Sequence, residues 1–215
     1  MILLNLVFDK ENIWHPYTSL IEPLPVYSVI RAEGLEIILE GESRLIDGIA
    51  SWWSAIHGYN HPDLNEAIIK QTKLMSHVMF GGFTHEPAIN LAKTLVEITP
   101  SGLDKVFFSD SGSVAVEVAI KMAIQYWQAL GKPEKKQLIT IRGGYHGDTI
   151  GAMSVCDPIS GMHSLFKGVL QEQIFAERPK CRFEKDWDDK FIHDFEVKIE
   201  RHHQELAALI LEPIA

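Results

Sequence analysis

The sequence predicts an α/β fold, in which an incomplete, mostly parallel sheet with flanking helices follows a small N-terminal α+β segment. Short alternating runs over 26–48 indicate antiparallel strands near the start of the chain. Three apolar runs at 105–109, 137–141 and 205–211 then alternate with helical patterns, as in a parallel sheet that is buried on both faces. With 215 residues and 46% hydrophobic content, the chain can bury a sizeable core.

The N-terminal elements follow from spacing and turn residues. In 26–48, VYSVIRAEGLEIILEGESRLIDG, Gly34 and Gly41 separate short alternating runs, which predicts antiparallel strands joined by tight turns. Helical spacing then predicts helices within 62–79 and 85–99.

Polar residues follow each of the three apolar runs. Asp110 to Ser113 follow the first, RGGYHGD at 142–148 follows the second, and Glu212 follows the third. Open α/β sheets bind ligands beyond the carboxyl ends of their strands. We therefore expect a ligand site at this edge of the sheet.

A long helix is predicted directly after Ser113. Its polar residues form one narrow stripe, which predicts a helix buried over most of its circumference, with an inward-pointing N-terminus. Those residues are Glu117, Lys121, Gln125 and Gln128. The orphan N–H groups of this end need acceptors. Either Ser111 or Ser113 caps them, or Gly112 lets a ligand phosphate approach them, and the sequence leaves both alternatives open.

The loop GGYHGDT surrounds Tyr145 with glycines, which allow tight or positive-φ backbone on both sides of the ring. Such a ring can lie flat on a planar heteroaromatic ligand. His146 and Asp148 stand beside it, and composition alone favours a hydrogen-bonded turn as the explanation for these two residues.

Composition excludes several classes of protein. The net charge of −9 disfavours nucleic-acid and anionic-membrane partners. No apolar run is long enough to span a membrane, and the N-terminus lacks the features of a secretory signal, so a cytoplasmic protein is expected. The histidine pairs lack further ligands, so no metal site is predicted. Nothing in the sequence supplies a base for Cys156 as a nucleophile.

Two segments, SDSGSVAVEVAIKMA and GYHGDTIGAMSV, resemble the pyridoxal-phosphate motifs of the class III aminotransferases. With IWHPYTS at 13–19, SWWSAIHGYNHP at 51–62 and MSHVMFGGFTHEPA at 75–88, they resemble most the members that act in biotin biosynthesis. The resemblance implies a fold type I PLP-dependent transferase. It places residues 1–60 in the small domain and 61–215 in the first part of the PLP-binding large domain.

The resemblance also implies residue roles. Gly112 and Ser113 would bind the phosphate of pyridoxal 5'-phosphate. Tyr145 would stack on the pyridine ring, and Glu212 would hold the hydrogen-bonding network near its far side.

Tyr17, Trp52 and Trp53 would line the substrate pocket, with Asp148 close to Tyr17. The implied substrates are S-adenosylmethionine, as the first-bound amino donor, and 8-amino-7-oxononanoate, in ping-pong order. Two alternatives remain: the tryptophan pair packs in the core, or the enzyme is an ω-aminotransferase that uses a different amine.

The Schiff-base lysine of this family, and the aspartate that pairs with the pyridine nitrogen, would lie beyond residue 215. No lysine here stands in a matching motif, so no catalytic residue is assigned within the chain. We expect the chain alone to fold poorly and not to transaminate, and the intact enzyme to be a homodimer. A non-catalytic fragment that acts as a structural partner is the alternative.

Overall fold

The computed structural model describes residues 5–159, 165–166, 168–182 and 184–213. The chain divides into two compact units, Met1–Leu91 and Ala92–Ala215. The boundary falls inside one helix, and the assignment of 1–60 and 61–215 to separate domains stays a prediction. No helix among the described residues combines the length and the hydropathy needed to cross a bilayer.

The first unit contains a three-stranded antiparallel sheet and several helices. Its elements are α1 (Leu6–Asn12), β1 (Val29–Glu33), β2 (Glu36–Leu39), β3 (Arg44–Ile46), α2 (Ala50–Trp53), α3 (Pro62–Leu74) and α4 (Glu86–Ile98), whose C-terminal half belongs to the second unit. In the sheet, Ile37 pairs with Ala32 of β1 and with Leu45 of β3. The strands predicted within 26–48 are therefore confirmed, and the buried Ile38 anchors the sheet.

Both helices predicted after this sheet are present. The first ends at Leu74, five residues before the end of the predicted range, and begins with Pro62 in its first turn. Proline is tolerated there because the N–H that it lacks has no partner within the helix.

The second unit contains a parallel sheet. Its elements are α5 (Gly112–Ala129), β4 (Gln137–Ile141), α6 (Ile150–Ser154), β5 (Ile174–Ala176), a 3₁₀ turn (Asp189–Ile192), α7 (His193–His202) and β6 (Leu206–Leu209). The strand order is β5-β4-β6, and both pairs are parallel. The central strand β4 buries Leu138, Ile139 and Thr140 almost completely, so the core of this unit lies along it.

The strand content differs from the prediction in two places. Residues 105–109 form no strand, although their apolar run predicts one. A strand exists only through bonds to a neighbour, and no strand of the described sheet pairs with this segment. The three-residue β5 was not predicted, because its apolar run is too short to show a period.

The prediction that α5 is buried over most of its circumference is wrong for this chain. None of its residues is fully buried, and among the described elements it packs mainly on α6 and β6. The indole N–H of Trp127 attaches α5 to the sheet by donating to the carbonyl of Ala207 at 2.7 Å.

Candidate active site

The loop 142–149 leaves the carboxyl end of β4, and Glu212 follows the carboxyl end of the adjacent β6. Because the two strands are parallel, these ends meet at one edge of the sheet. The backbone N–H of Tyr145 donates to Oε2 of Glu212 at 2.9 Å. Two predicted site residues, 67 positions apart, therefore lie together.

The same loop is attached to the start of α5 by two hydrogen bonds in series. The phenol of Tyr145 donates to Oδ2 of Asp148 at 2.8 Å. The backbone N–H of Asp148 in turn donates to Oγ of Ser113 at 3.1 Å. Four residues therefore form one hydrogen-bonded group: Tyr145, Asp148, Ser113 and Glu212. Tyr145 as a whole is still 55% exposed.

Gly147 lets the loop approach the helix this closely. Its φ is +126°, and a methyl group at this position would lie 2.4 Å from Oγ and 2.9 Å from Cα of Ser113. Any side chain at position 147 would therefore push the loop away from α5.

At the N-terminus of α5 the capping alternative is observed, and the phosphate alternative stays a prediction. Ser111 caps the helix, since its hydroxyl accepts from the N–H of Val114 at 3.2 Å. The N–H groups of Gly112 and Ser113 make no hydrogen bond to any residue that the structure describes. A methyl group at Gly112 would meet nothing within 4 Å. Two donors and open space at a helix N-terminus fit a phosphate group.

Asp157 and Glu117 fix the two ends of the loop, and the sequence analysis missed both roles. The buried carboxylate of Asp157 accepts from the N–H groups of Gly143 and Ile159, each at 2.8 Å. Oε1 of Glu117 accepts from the N–H of Gly151 at 2.6 Å, at the start of α6. Partial burial acts to raise the pKa of Glu117. The hydroxyl of Thr149, the N–H groups of Gly151 and Ala152 and the charge of Lys121 outweigh burial, so the pKa is lowered.

Cys156 lies behind the loop as a packing residue. Its sulfur accepts from the N–H of His146 at 3.1 Å, and burial raises the pKa of its thiol. A buried neutral thiol is a poor nucleophile. Burial also lowers the pKa of His146, against the opposing charge of Glu212. Among the described residues, no group of three potential ligands lies close enough to hold a metal ion.

The predicted substrate residues of the first unit are exposed aromatic groups. The rings of Tyr17 and Trp52 are parallel, with centroids 5.4 Å apart. Trp52 is 66% and Trp53 84% exposed, so the alternative that this pair packs in the core is wrong for this chain. Together with residues 48–50, the two indoles line a depression of about 420 Å³. The expected proximity of Asp148 to Tyr17 stays a prediction.

The short segment α2, which carries both tryptophans, has a left-handed backbone. Its four residues have φ values of 48°, 47°, 57° and 74°. For residues with a side chain, this conformation costs about 1–2 kcal/mol each. Contacts outside α2 must therefore hold it.

The model of one protein family, aminotransferase class III, matches residues 20–215. This chain belongs to the class III aminotransferases. The match covers the loop, the start of α5 and Glu212, so every residue of the hydrogen-bonded group lies within the family region.

Curated relatives are similar to this chain over nearly its whole length. A protein of Buchnera aphidicola subsp. Baizongia pistaciae, named adenosylmethionine-8-amino-7-oxononanoate aminotransferase, is 54% identical over 210 residues, which are 98% of this chain and 49% of that protein. A protein of the same name from Saccharomyces cerevisiae is 46% identical, over 96% of this chain and 46% of its own length. The chain thus spans about half the length of the curated relatives that it matches.

Solved structures have the same fold. The adenosylmethionine-8-amino-7-oxononanoate aminotransferase of Methanocaldococcus jannaschii matches 96% of this chain with 37% identity and a TM-score of 0.83, over 46% of its own length. An ω-transaminase of Pseudomonas jessenii, solved in complex with PMP, matches 99% of this chain with 29% identity and a TM-score of 0.81, over 49% of its own length. The α/β fold is therefore that of fold type I aminotransferases.

Proposed function

We propose that this chain forms the cofactor-binding and substrate-binding part of a PLP-dependent aminotransferase of biotin biosynthesis. The enzyme transfers an amino group from S-adenosylmethionine to 8-amino-7-oxononanoate and releases 7,8-diaminononanoate. One observation carries the cofactor assignment: the loop that presents Tyr145 lies on the start of α5, beside two N–H donors that have no acceptor among the described residues. The shared names of the most similar relatives support the substrates.

When bound, pyridoxal phosphate supplies an electron sink for a carbanion of the substrate. The chain supplies binding and orientation. The N–H groups of Gly112 and Ser113, together with the helix dipole, bind the phosphate. Tyr145 would stack on the pyridine ring, and its hydroxyl bond to Asp148 fixes the orientation of the phenol. Glu212 fixes the backbone beside that ring.

Tyr17, Trp52 and Trp53 receive the substrates. Their exposed rings suit an adenine ring or an aliphatic chain, and a desolvated sulfonium over such a ring gains about 1–2 kcal/mol by cation–π attraction. One aromatic wall can thus serve both substrates in turn, as a ping-pong reaction requires.

We further propose that the enzyme works in the cytoplasm as a homodimer. In this proposal, residues 1–60 belong to its small domain and 61–215 to its large domain. The net charge of −9 agrees with small-molecule substrates rather than nucleic-acid partners.

An ω-aminotransferase that uses another amine is the second candidate. Its support is the fold match to ω-transaminases at 28–30% identity. We rank it second because relatives named for S-adenosylmethionine reach 54%.

The test adds the half of the enzyme that the chain does not match and compares the rates with different amino donors. The 215-residue chain is fused to, or coexpressed with, the half of the Buchnera relative that it does not match. We expect kcat/KM for S-adenosylmethionine to exceed that for lysine or ornithine, and the Ser113→Ala variant to bind PLP more weakly than a Ser109→Ala control. Faster turnover with lysine or ornithine would favour the second candidate. Absence of turnover with all three donors, in a folded and PLP-loaded complex, would contradict an enzymatic role.

A further inference from the structure

We propose that Asp47 is a positioning residue, which holds the left-handed segment α2 and thereby fixes the orientation of Trp52 and Trp53. The aromatic wall is a substrate site only if the proposed function holds, whereas the positioning role can be measured without substrate.

Both carboxylate oxygens of Asp47 accept hydrogen bonds, from the backbone at the start of α2 and from Tyr59. Oδ1 accepts from the N–H of Ile49 at 2.9 Å, and Oδ2 accepts from the N–H of Ser51 at 2.6 Å. The phenol of Tyr59 also donates to Oδ2, at 2.5 Å. One side chain therefore binds the residue before α2 and a residue within it.

Asp47 is itself held by the antiparallel sheet. Its N–H donates to the carbonyl of Leu35 at 2.9 Å. Tyr59 is held by two backbone bonds to Gly34, of 2.7 and 3.1 Å, in the turn between β1 and β2. Gly58 permits this contact, because a methyl group there would lie 2.9 Å from the carbonyl oxygen of Gly34. A continuous set of bonds thus leads from the sheet to α2.

The conformation of α2 needs such support. Ala50, Ser51, Trp52 and Trp53 all have positive φ, which residues with a side chain rarely adopt even singly. Strained backbone of this kind persists only where the surroundings determine it. Relaxation of the turn would rotate the indole of Trp52 away from the ring of Tyr17, on which it now stacks. Asp47 is therefore the residue whose loss should release the aromatic wall.

The test follows the indole N–H signals of Trp52 and Trp53 by NMR in the completed enzyme without substrate, assigned with single Trp→Phe variants. Hydrogen bonds to a charged acceptor shift an equilibrium by about tenfold to a hundredfold. We expect Asp47→Ala to broaden or move both indole signals, while the amide signals of β1 and β2 stay in place. Asp47→Asn keeps one acceptor oxygen and should restore the signals partly. Tyr59→Phe should give a smaller shift.

Asp63→Asn is the matched control, since Asp63 is an exposed residue in the first turn of α3. It should leave both indole signals unchanged. If Asp47→Ala disrupts the sheet, Asp47→Asn and Tyr59→Phe still report on the turn. If both single variants, Asp47→Asn and Tyr59→Phe, are folded and leave the Trp52 and Trp53 signals unchanged, the proposal is overturned.

A second measurement separates this inference from the proposed function. In the completed enzyme, Asp47→Asn should raise KM for S-adenosylmethionine and leave kcat nearly unchanged. If the indole signals move but the unaltered enzyme does not use S-adenosylmethionine, the substrate assignment fails and the positioning role stands. If KM is unchanged although the signals move, Asp47 positions the turn but the turn does not bind the donor.

Discussion

Replacing Gly147 by alanine tests the contact between the loop and α5 most severely. Gly147 is buried, its φ is +126°, and a methyl group there would lie 2.4 Å from Oγ of Ser113. The neighbouring atoms belong partly to the backbone, since Cα of Ser113 is only 2.9 Å from the same point. The loop must therefore move, which breaks the bond from the N–H of Asp148 to Ser113.

The expected cost has two parts. A side chain at a φ that essentially only glycine adopts costs about 1–3 kcal/mol. Overpacking of a close contact costs about another 1–3 kcal/mol. We therefore expect Gly147→Ala to lower the free energy of unfolding of the second unit by about 2–6 kcal/mol, measured by urea denaturation and circular dichroism.

Gly112→Ala is the matched control for this prediction. Its methyl group would meet nothing within 4 Å, and no positive φ is required there. It should therefore leave stability unchanged yet weaken PLP binding, because the methyl group occupies the space proposed for the phosphate. A Gly147→Ala protein as stable as the unaltered chain would refute the close contact between the loop and α5. A Gly112→Ala protein that binds PLP as tightly as the unaltered chain would refute the proposed phosphate site.

Three further predictions concern the supports of the site. Asp157→Ala should destabilise the chain by about 1.5–3 kcal/mol in thermal or urea unfolding, because the N–H of Gly143 loses a charged acceptor. The pKa of Glu117 is lowered from its usual value of 4.5. The ionised carboxylate therefore stabilises the folded chain fully above pH 4.5, and this stabilisation is lost as the pH falls through the folded-state pKa. The stability difference between the unaltered chain and Glu117→Gln should therefore narrow below pH 4.5, and a constant difference would contradict it. Trp127→Phe should lower the free energy of unfolding by about 1 kcal/mol in urea denaturation, because it removes the bond to Ala207, and an unchanged urea midpoint would contradict this prediction.

Local patterns predicted the elements whose residues lie close together in sequence. Alternation and glycine turns predicted the antiparallel sheet, and the apolar run of 137–141 predicted the central strand of the parallel sheet. The apolar run of 105–109 failed because strand formation depends on a neighbour, which periodicity does not show. Burial of α5 failed for a related reason.

The site residues likewise divide into those that the sequence indicated and those that it did not. Motif resemblance indicated Ser113, Tyr145 and Glu212, which the structure joins by hydrogen bonds. It did not indicate Glu117, which accepts from an N–H 34 positions away and resembles a solvent-exposed charge when only the helix is considered. The role of Asp47 could have been found more easily from the sequence than that of Glu117. An aspartate directly before a glycine commonly accepts hydrogen bonds from backbone N–H groups a few residues on.

The central claim is that N–H groups at the start of α5 bind the cofactor phosphate beneath the ring of Tyr145. A crystal structure of the chain soaked with pyridoxal phosphate tests it most directly. The account predicts phosphate oxygens within hydrogen-bond distance of the N–H groups of Gly112 and Ser113, with the Tyr145 ring parallel to the pyridine. Cofactor bound elsewhere, or a Tyr145 ring turned to solvent beside an empty helix N-terminus, would contradict it.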